Sequence, residues 1–289
     1  MRRVGLMLGL AAVAAVILPP AAPAGESGPI PIQTVASSLT GATPDFSLGG
    51  APCSLIPVPA ADAAPAGIGP CEGVRPGGRL ETEIGLCTYN FLFRAPDGTR
   101  YIGTAGHCIL GTTPVADSAG EKLWPKGGGP QAKTGGQRVG EFAYAVLESP
   151  KDFALIRLDP GVEASPAMCH FGGPVGVFQG TGPGTTVLEY YGNGVAIGSV
   201  LPARSGVAEG IPNDDHVYAV GLALPGDSGS GVTSDDGRAV GVLVTTGLHG
   251  FGFSENGVDF GTMGITRLPP QIARASEALG VPLTLVTDG

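Results

Sequence analysis

Glycine and proline interrupt this chain so often that it has little room for long helices. Within residues 169–220, short apolar runs at 175–178, 185–191 and 195–201 are broken by Gly or Pro every few positions. Such runs are typical of β-strands joined by tight turns. With 50 glycines and 27 prolines among 289 residues the composition approaches low complexity, but a hydrophobic content of 43% can supply a buried core. We therefore expect a folded body built from many short strands.

The N-terminus has the layout of a secretory signal. Two arginines at positions 2 and 3 precede an apolar run over residues 4–18, and the small residues 22–24 suit cleavage after Ala24. The run is shorter than the roughly 18 to 20 residues that a membrane span needs. The arginine pair would also suit a twin-arginine signal, but its flanking residues do not support one. We expect residues 1–24 to be a signal peptide and the mature protein to be secreted into the extracellular space.

Acidic residues outnumber basic ones in this chain. It has 25 Asp and Glu against 16 Lys and Arg, for a formal net charge of −9, and removal of residues 1–24 would take away two arginines and no acid. Nucleic acids and anionic membranes bind basic patches. We therefore expect no nucleic-acid partner and, after signal removal, no membrane partner, and we expect a monomer.

The mature chain divides into an irregular N-terminal part and a compact body. Residues 25–79 are rich in Pro, Ala and Gly with little periodicity, which is typical of a surface extension or a pro-segment. The body is expected to span residues 80–289 and to contain a Gly-rich loop over residues 121–140. A helix is expected over about residues 269–280, because two prolines suit its first turn and a glycine ends it.

Five cysteines in a secreted chain imply disulfides and one thiol left over. A run over residues 86–94 with period-two alternation, a turn signal at Asp97-Gly98 and a return strand over residues 99–104 predict a hairpin. Cys87 and Cys108 bracket this hairpin and are expected to pair. Cys53 and Cys71 bracket a Pro-rich loop and could close it, which would leave Cys169 free. Alternatively, Cys169 could tie the N-terminal extension to the body by pairing with either of them.

Three short motifs carry the candidate chemistry. They read Thr-Ala-Gly-His-Cys at 104–108, Asp-Phe-Ala-Leu-Ile-Arg-Leu at 152–158 and Gly-Asp-Ser-Gly-Ser-Gly at 226–231. A serine hydroxyl becomes a competent nucleophile only when a base and an oxyanion site are built around it. These motifs resemble those of the chymotrypsin/trypsin-like serine peptidases. Their order along the chain, with the His motif first, the Asp motif second and the Ser motif last, distinguishes that family from the subtilisins and the α/β-hydrolases, whose triad residues occur in other orders. The resemblance covers roughly residues 80–280.

The resemblance implies an all-β fold of two packed six-stranded antiparallel β-barrels with a C-terminal α-helix. The N-terminal barrel would span about residues 80–165 and the C-terminal barrel about residues 166–267. Animal members place further cysteine pairs around the substrate pocket, and this chain lacks them. It therefore looks like the bacterial branch of the family.

The resemblance also implies a mechanism. His107 matches the general base, Asp152 the acid that orients it, and Ser228 the nucleophile, while the backbone N–H groups of Gly226 and Ser228 match the oxyanion hole. This chemistry requires no cofactor and no metal. The remaining histidines lack the paired spacing of a zinc site and receive no role.

The substrate pocket follows from the same resemblance. In this family the residue six positions before the nucleophile forms the floor of the primary specificity pocket, and here it is Leu222. Thr245, Thr246 and Gly247 match the segment that lines the pocket wall and pairs with the substrate backbone, and Thr245 could hydrogen-bond Asp152. A leucine floor cannot neutralise a cationic substrate side chain. The sequence therefore predicts an endopeptidase that prefers an apolar P1 residue in its polypeptide substrate.

One acid in the third motif, Asp227, has no obvious partner in the sequence. Animal members pair this acid with a newly formed N-terminal Ile or Val, but Leu80 lies too close to His107 for that arrangement. Bacterial members use an internal arginine, but the segment expected to carry it, residues 177–180, contains none. Two alternatives to an active endopeptidase therefore remain: a trypsin-fold binding or scaffold protein with little turnover, and a secreted esterase that uses the same triad.

Overall fold

The computed structural model describes one large C-terminal part of the chain. The described residues are 71, 73–111, 120–148, 150–180, 186–195, 201–208, 214–245, 253–254, 257–258 and 262–288. The expected signal peptide and most of the expected extension lie outside them. No helix within these segments is long and apolar enough to cross a membrane.

The first sheet contains nine strands. They are β1 (Arg79–Thr82), β2 (Gly85–Thr88), β3 (Leu92–Arg94), β4 (Arg100–Thr104), β5 (Gly120–Leu123), β6 (Gln131–Thr134), β7 (Gln137–Glu148), β8 (Lys151–Leu158) and the C-terminal β18 (Thr284–Leu285). Their order is β18-β3-β4-β8-β7-β6-β1-β2, with β5 added on β7, and all pairs are antiparallel. Since β2 and β3 are consecutive in the chain but lie near opposite ends of this strand order, the sheet curls into a half-barrel.

The expectation of a loop over residues 121–140 is wrong in part. Strand β6 and most of β5 lie in this region, and both strands pair with β7. Their side chains are mostly exposed or half-buried, so these strands lack the apolar alternation by which a strand is recognised. Trp124, between them, packs edge-on against Phe142 with ring centroids 6.4 Å apart.

The second sheet closes into a barrel. Its strands are β9 (Gly176–Val177), β10 (Val187–Tyr191), β11 (Ala203–Ala208), β12 (His216–Gly221), β13 (Gly231–Ser234), β14 (Arg238–Thr245) and β17 (Thr262–Arg267). Six of them form a ring in the order β13-β10-β11-β12-β17-β14, which the pairing of β13 with β14 closes, and β9 adds in parallel to β14. A separate two-stranded hairpin is formed by β15 (Phe253–Ser254) and β16 (Gly257–Val258).

Two helices complete the described part. The short α1 (His107–Leu110) follows β4, and α2 (Leu268–Leu279) follows β17. Helix α2 has proline in its first turn and ends at Gly280, which adopts a left-handed conformation with φ 68°, as the sequence predicted. Valines 242 and 244 of β14 pack into the core of the first sheet and so join the two barrels.

Two disulfides connect distant parts of the chain. Cys87 bonds Cys108 with their Cα atoms 6.2 Å apart, and Cys71 bonds Cys169 with their Cα atoms 5.5 Å apart. The second bond spans 98 residues of sequence and selects one of the pairings that the sequence left open. Cys53 lies outside the described residues.

Candidate active site

His107 and Asp152 come together in the first sheet. His107 is the first residue of α1, immediately beyond β4, and Asp152 is the second residue of the neighbouring strand β8. The Nδ1 atom of His107 lies 2.7 Å from Oδ2 of Asp152, and the backbone N–H of His107 donates to Oδ1 at 2.9 Å. The carboxylate therefore fixes both the ring and the main chain of the histidine.

The backbone before His107 needs a glycine. A Cβ atom on Gly106 would overlap the carbonyl oxygen of Val146 in β7 and would lie 3.1 Å from Oδ1 of Asp152. The disulfide between Cys87 and Cys108 then fixes the residue directly after His107 to β2. The imidazole is thus held from both sides along the chain.

The environment of His107 changes its basicity. Burial lowers the pKa of the imidazole, but the charge of Asp152 and the hydrogen bond to it raise the pKa by more. The pKa of His107 therefore lies above its ordinary value of 6.5. Such a ring accepts a proton more readily than a free histidine does.

The loop that carries Ser228 lies against the same disulfide. The Ser228 carbonyl accepts a hydrogen bond from the N–H of Thr88 at 2.9 Å, and it lies 3.8 Å from Sγ of Cys108. The Thr88 hydroxyl donates to the carbonyl of Gly226 at 2.9 Å. Main-chain contacts therefore hold Ser228 against Thr88 and against Cys108, the residue after His107, while its hydroxyl forms no hydrogen bond with any other described residue.

The conformation of this loop depends on glycine at position 226. Gly226 has φ 101°, a left-handed backbone region, and a Cβ atom there would lie 2.6 Å from the carbonyl oxygen of Asn193. The N–H groups of Gly226 and Ser228 donate to no other described residue.

Arg204 is the partner of Asp227 that the sequence did not reveal. The Asp227 side chain is completely buried, and Nη1 and Nη2 of Arg204 donate to its two oxygens at 2.6 and 2.5 Å. The N–H of Leu224 adds a third hydrogen bond at 2.7 Å. The guanidinium also lies over the Tyr190 ring, 5.1 Å from its centroid. Arg204 is the one charged residue of β11, and that was the available signal in the sequence, but its sequence position gave no indication of its partner.

The predicted pocket residues are placed in part. Leu222 is half-buried after β12, and its carbonyl accepts hydrogen bonds from Nη1 of Arg204 at 3.1 Å and from the Tyr190 hydroxyl. Thr245 ends β14, where its Oγ1 accepts from the N–H of Gly264 at 2.9 Å and forms no hydrogen bond with Asp152. Predicted residues Thr246 and Gly247 lie outside the described segments.

One group of possible metal ligands occurs among the described residues. Ligand atoms of Cys87, His107 and Cys108 lie within 4.8 Å of one another. Both sulfurs belong to the disulfide, so the thiolates that would bind a metal are not available.

Comparisons with known proteins bear on the fold. The sequence matches no protein-family model and no curated protein. Among solved structures, the match to Thermobifida fusca protease A covers 75% of this chain and 100% of that protein, with 16% sequence identity and a TM-score of 0.51. The match to the Nocardiopsis protease covers 73% of this chain and 98% of that protein, with 20% sequence identity and a TM-score of 0.51. At this level of identity the likeness concerns the architecture, which is the trypsin-like double barrel.

Proposed function

We propose that this chain, which has the trypsin-like double-barrel fold, is a secreted serine endopeptidase. The observation that carries the proposal is the 2.7 Å contact between Nδ1 of His107 and Oδ2 of Asp152, beside the loop that bears Ser228. The two disulfides fit an extracellular protein, because such bonds persist in oxidising compartments.

In the proposed mechanism the Ser228 hydroxyl attacks the scissile carbonyl while Nε2 of His107 takes its proton. Asp152 holds Nδ1–H and stabilises the imidazolium that forms. The N–H groups of Gly226 and Ser228 would bind the oxyanion of the tetrahedral intermediate. The protonated His107 then gives its proton to the leaving amine, and water hydrolyses the acyl-enzyme by the same steps.

The ion pair between Arg204 and Asp227 supports the endopeptidase over a scaffold with little turnover. The scaffold alternative drew its support from an Asp227 without a partner. With two guanidinium hydrogen bonds and one from the Leu224 N–H, the acid next to Ser228 is neutralised inside the protein. The loop needs no newly formed N-terminus to hold its shape.

A test of this proposal labels the purified mature protein with a fluorophosphonate probe and measures casein digestion in parallel. We expect labelling on Ser228, no labelling of Ser228→Ala, and cleavage of casein by the unmodified protein only. Labelling with hydrolysis of esters but not of peptides would instead identify an esterase. A folded protein that does not label at all would contradict both enzymatic functions and favour a scaffold.

We also propose an apolar P1 preference, with Leu222 at the pocket floor. The Leu222 carbonyl accepts hydrogen bonds from Arg204 and the Tyr190 hydroxyl, and Arg204 itself binds both carboxylate oxygens of the buried Asp227, so this acid is already paired and unsuited to a cationic side chain. Peptide p-nitroanilides that differ only at P1 would be compared by kcat/KM. Phe or Leu at P1 should exceed Arg or Lys, and the opposite order would contradict the assignment of the floor.

A further inference from the structure

We infer that His216 is a positioning residue for Asp152, an inference that rests on the endopeptidase proposed above. His216 begins β12 in the closed barrel, whereas Asp152 lies at the start of β8 in the first sheet. The residue is buried, and as a lone histidine outside any metal-binding spacing it carried no signal in the sequence.

The contact between the two barrels is a hydrogen bond to Pro150. Nδ1 of His216 lies 3.2 Å from the carbonyl oxygen of Pro150, two residues before Asp152. A carbonyl can only accept, so Nδ1 carries the proton and donates it. Proline has no N–H, and its carbonyl is therefore the one main-chain group through which this residue can be held.

The other ties at the start of β8 come from within the first barrel, where the His107 N–H donates to Asp152 Oδ1 at 2.9 Å and strand β7 pairs with β8. Asp152 pairs with Leu147 in the antiparallel ladder. Lys151 and Glu148 form an ion pair at 3.2 Å, but their side chains are 31% and 57% exposed, and such a pair contributes little. The bond from His216 is the tie that reaches this segment from the opposite barrel.

The Nε2 side of the His216 ring, away from Pro150, packs against the main chain of β17. A Cβ atom on Gly264 in β17 would lie 2.8 Å from Nε2 of His216 and would overlap Oγ1 of Thr245. Only glycine therefore allows the ring its present position. The Tyr218 ring packs beside it with centroids 5.4 Å apart. The imidazole is confined between Gly264, Tyr218 and the Pro150 carbonyl.

His216 acts through this hydrogen bond and not through its charge. Burial lowers the pKa of His216 below its ordinary value, while the Pro150 hydrogen bond and the charges of Asp152 and Asp215 raise it by less. The ring is accordingly neutral at neutral pH. As a neutral donor it does not compete with the imidazolium of His107 for the Asp152 carboxylate.

The test compares His216→Phe, which keeps a ring but loses the donor, with His216→Asn, whose amide can replace Nδ1. Small displacements of a catalytic group cost up to about 100-fold in rate, so kcat for His216→Phe should fall roughly 10- to 100-fold with KM little changed. The acid limb of the pH profile of His216→Phe should move to lower pH. In this variant the Asp152 carboxylate is held less firmly against His107, so it raises the pKa of His107 by less than it does in the unmodified protein. His216→Asn should recover most of the rate and restore the limb.

A matched control is His170→Asn, which alters another buried histidine, held at φ 73°, a conformation that asparagine tolerates. It should leave kcat and the acid limb unchanged. If His216→Phe does not fold, His216→Ser, which is too short to reach Pro150, replaces it in the comparison. A variant without the donor that keeps the kcat and acid limb of the unmodified enzyme would overturn the inference. Failure of the unmodified protein to label with fluorophosphonate would instead overturn the proposed function.

Discussion

Replacing Arg204 with methionine should destabilise the protein far more than removal of an exposed arginine. The methionine retains an apolar stem against Tyr190 but leaves the Asp227 carboxylate with the Leu224 N–H as its remaining described donor. Removing one partner of a buried ion pair costs about 3–5 kcal/mol. For a chain of this size each kcal/mol lowers Tm by roughly 2–4 °C, so we expect a decrease of about 6–20 °C.

The measurement is thermal unfolding followed by circular dichroism, with Arg238→Met as the control. Arg238 pairs with Asp236 at 2.9 Å, but the two side chains are 51% and 57% exposed. Such a surface pair contributes about 0–1 kcal/mol, so the control should change Tm by only a few degrees. Equal decreases in Tm for the two variants would refute the conclusion that Arg204 neutralises Asp227.

A double variant separates stability from the shape of the loop. Combining Arg204→Met with Asp227→Leu removes both buried charges, and apolar replacements of a buried pair are often neutral or stabilising. We therefore expect the double variant to recover much of the lost Tm. It should not recover hydrolysis, because the loop around Ser228 also depends on the hydrogen bond from the Leu224 N–H to the Asp227 carboxylate.

Three other predictions follow from single features. Because Asp152 raises the pKa of His107 above 6.5, kcat/KM should reach half its maximum above pH 6.5, and Asp152→Asn should reduce kcat by roughly 10⁴-fold. Replacing Cys71 and Cys169 with alanine should cost about 2–4 kcal/mol in urea unfolding, whereas an unchanged urea midpoint would show that this bond does not stabilise the body. Burial and the nearby Asp235 raise the pKa of Glu189 to about 7, above the 4.5 of the free side chain, so the folded state holds this proton more tightly. Glu189 should therefore contribute its full stabilisation below about pH 4.5 and lose it as the pH rises to about 7, so the fall in stability over this range should be smaller for Glu189→Gln than for the unmodified protein.

Local sequence signals were sufficient for the elements that local interactions determine. The hairpin turn at Gly98, which has φ 84°, and the helix that ends at Gly280 were both predicted, since each depends on glycine at one backbone position. The run over residues 86–94 was also recognised, although it divides into β2 and β3 where the chain passes from one partner strand to another.

Long-range pairings were not available from the sequence. Arg204 reaches Asp227 only because β10 and β11 pair in a register that sets Arg204 opposite Tyr190 and the closed ring brings both to the Ser228 loop. The bond between Cys71 and Cys169 likewise depends on how the chain returns across the surface after 98 residues. His216 was overlooked for the same reason, since its partner Pro150 belongs to the other barrel.

The disulfide between Cys71 and Cys169 links the first described residue of the folded body to a residue 98 positions later in the chain. A single cut between β1 and β2, for example after Glu83, would separate the backbone into two pieces. The piece that ends there would still contain Cys71 and would remain covalently joined to the other piece through Cys169. Such a nicked molecule would migrate as one species on a non-reducing gel and as two after reduction. Whatever precedes Cys71 in the chain would then remain covalently attached to the folded body after such a cut.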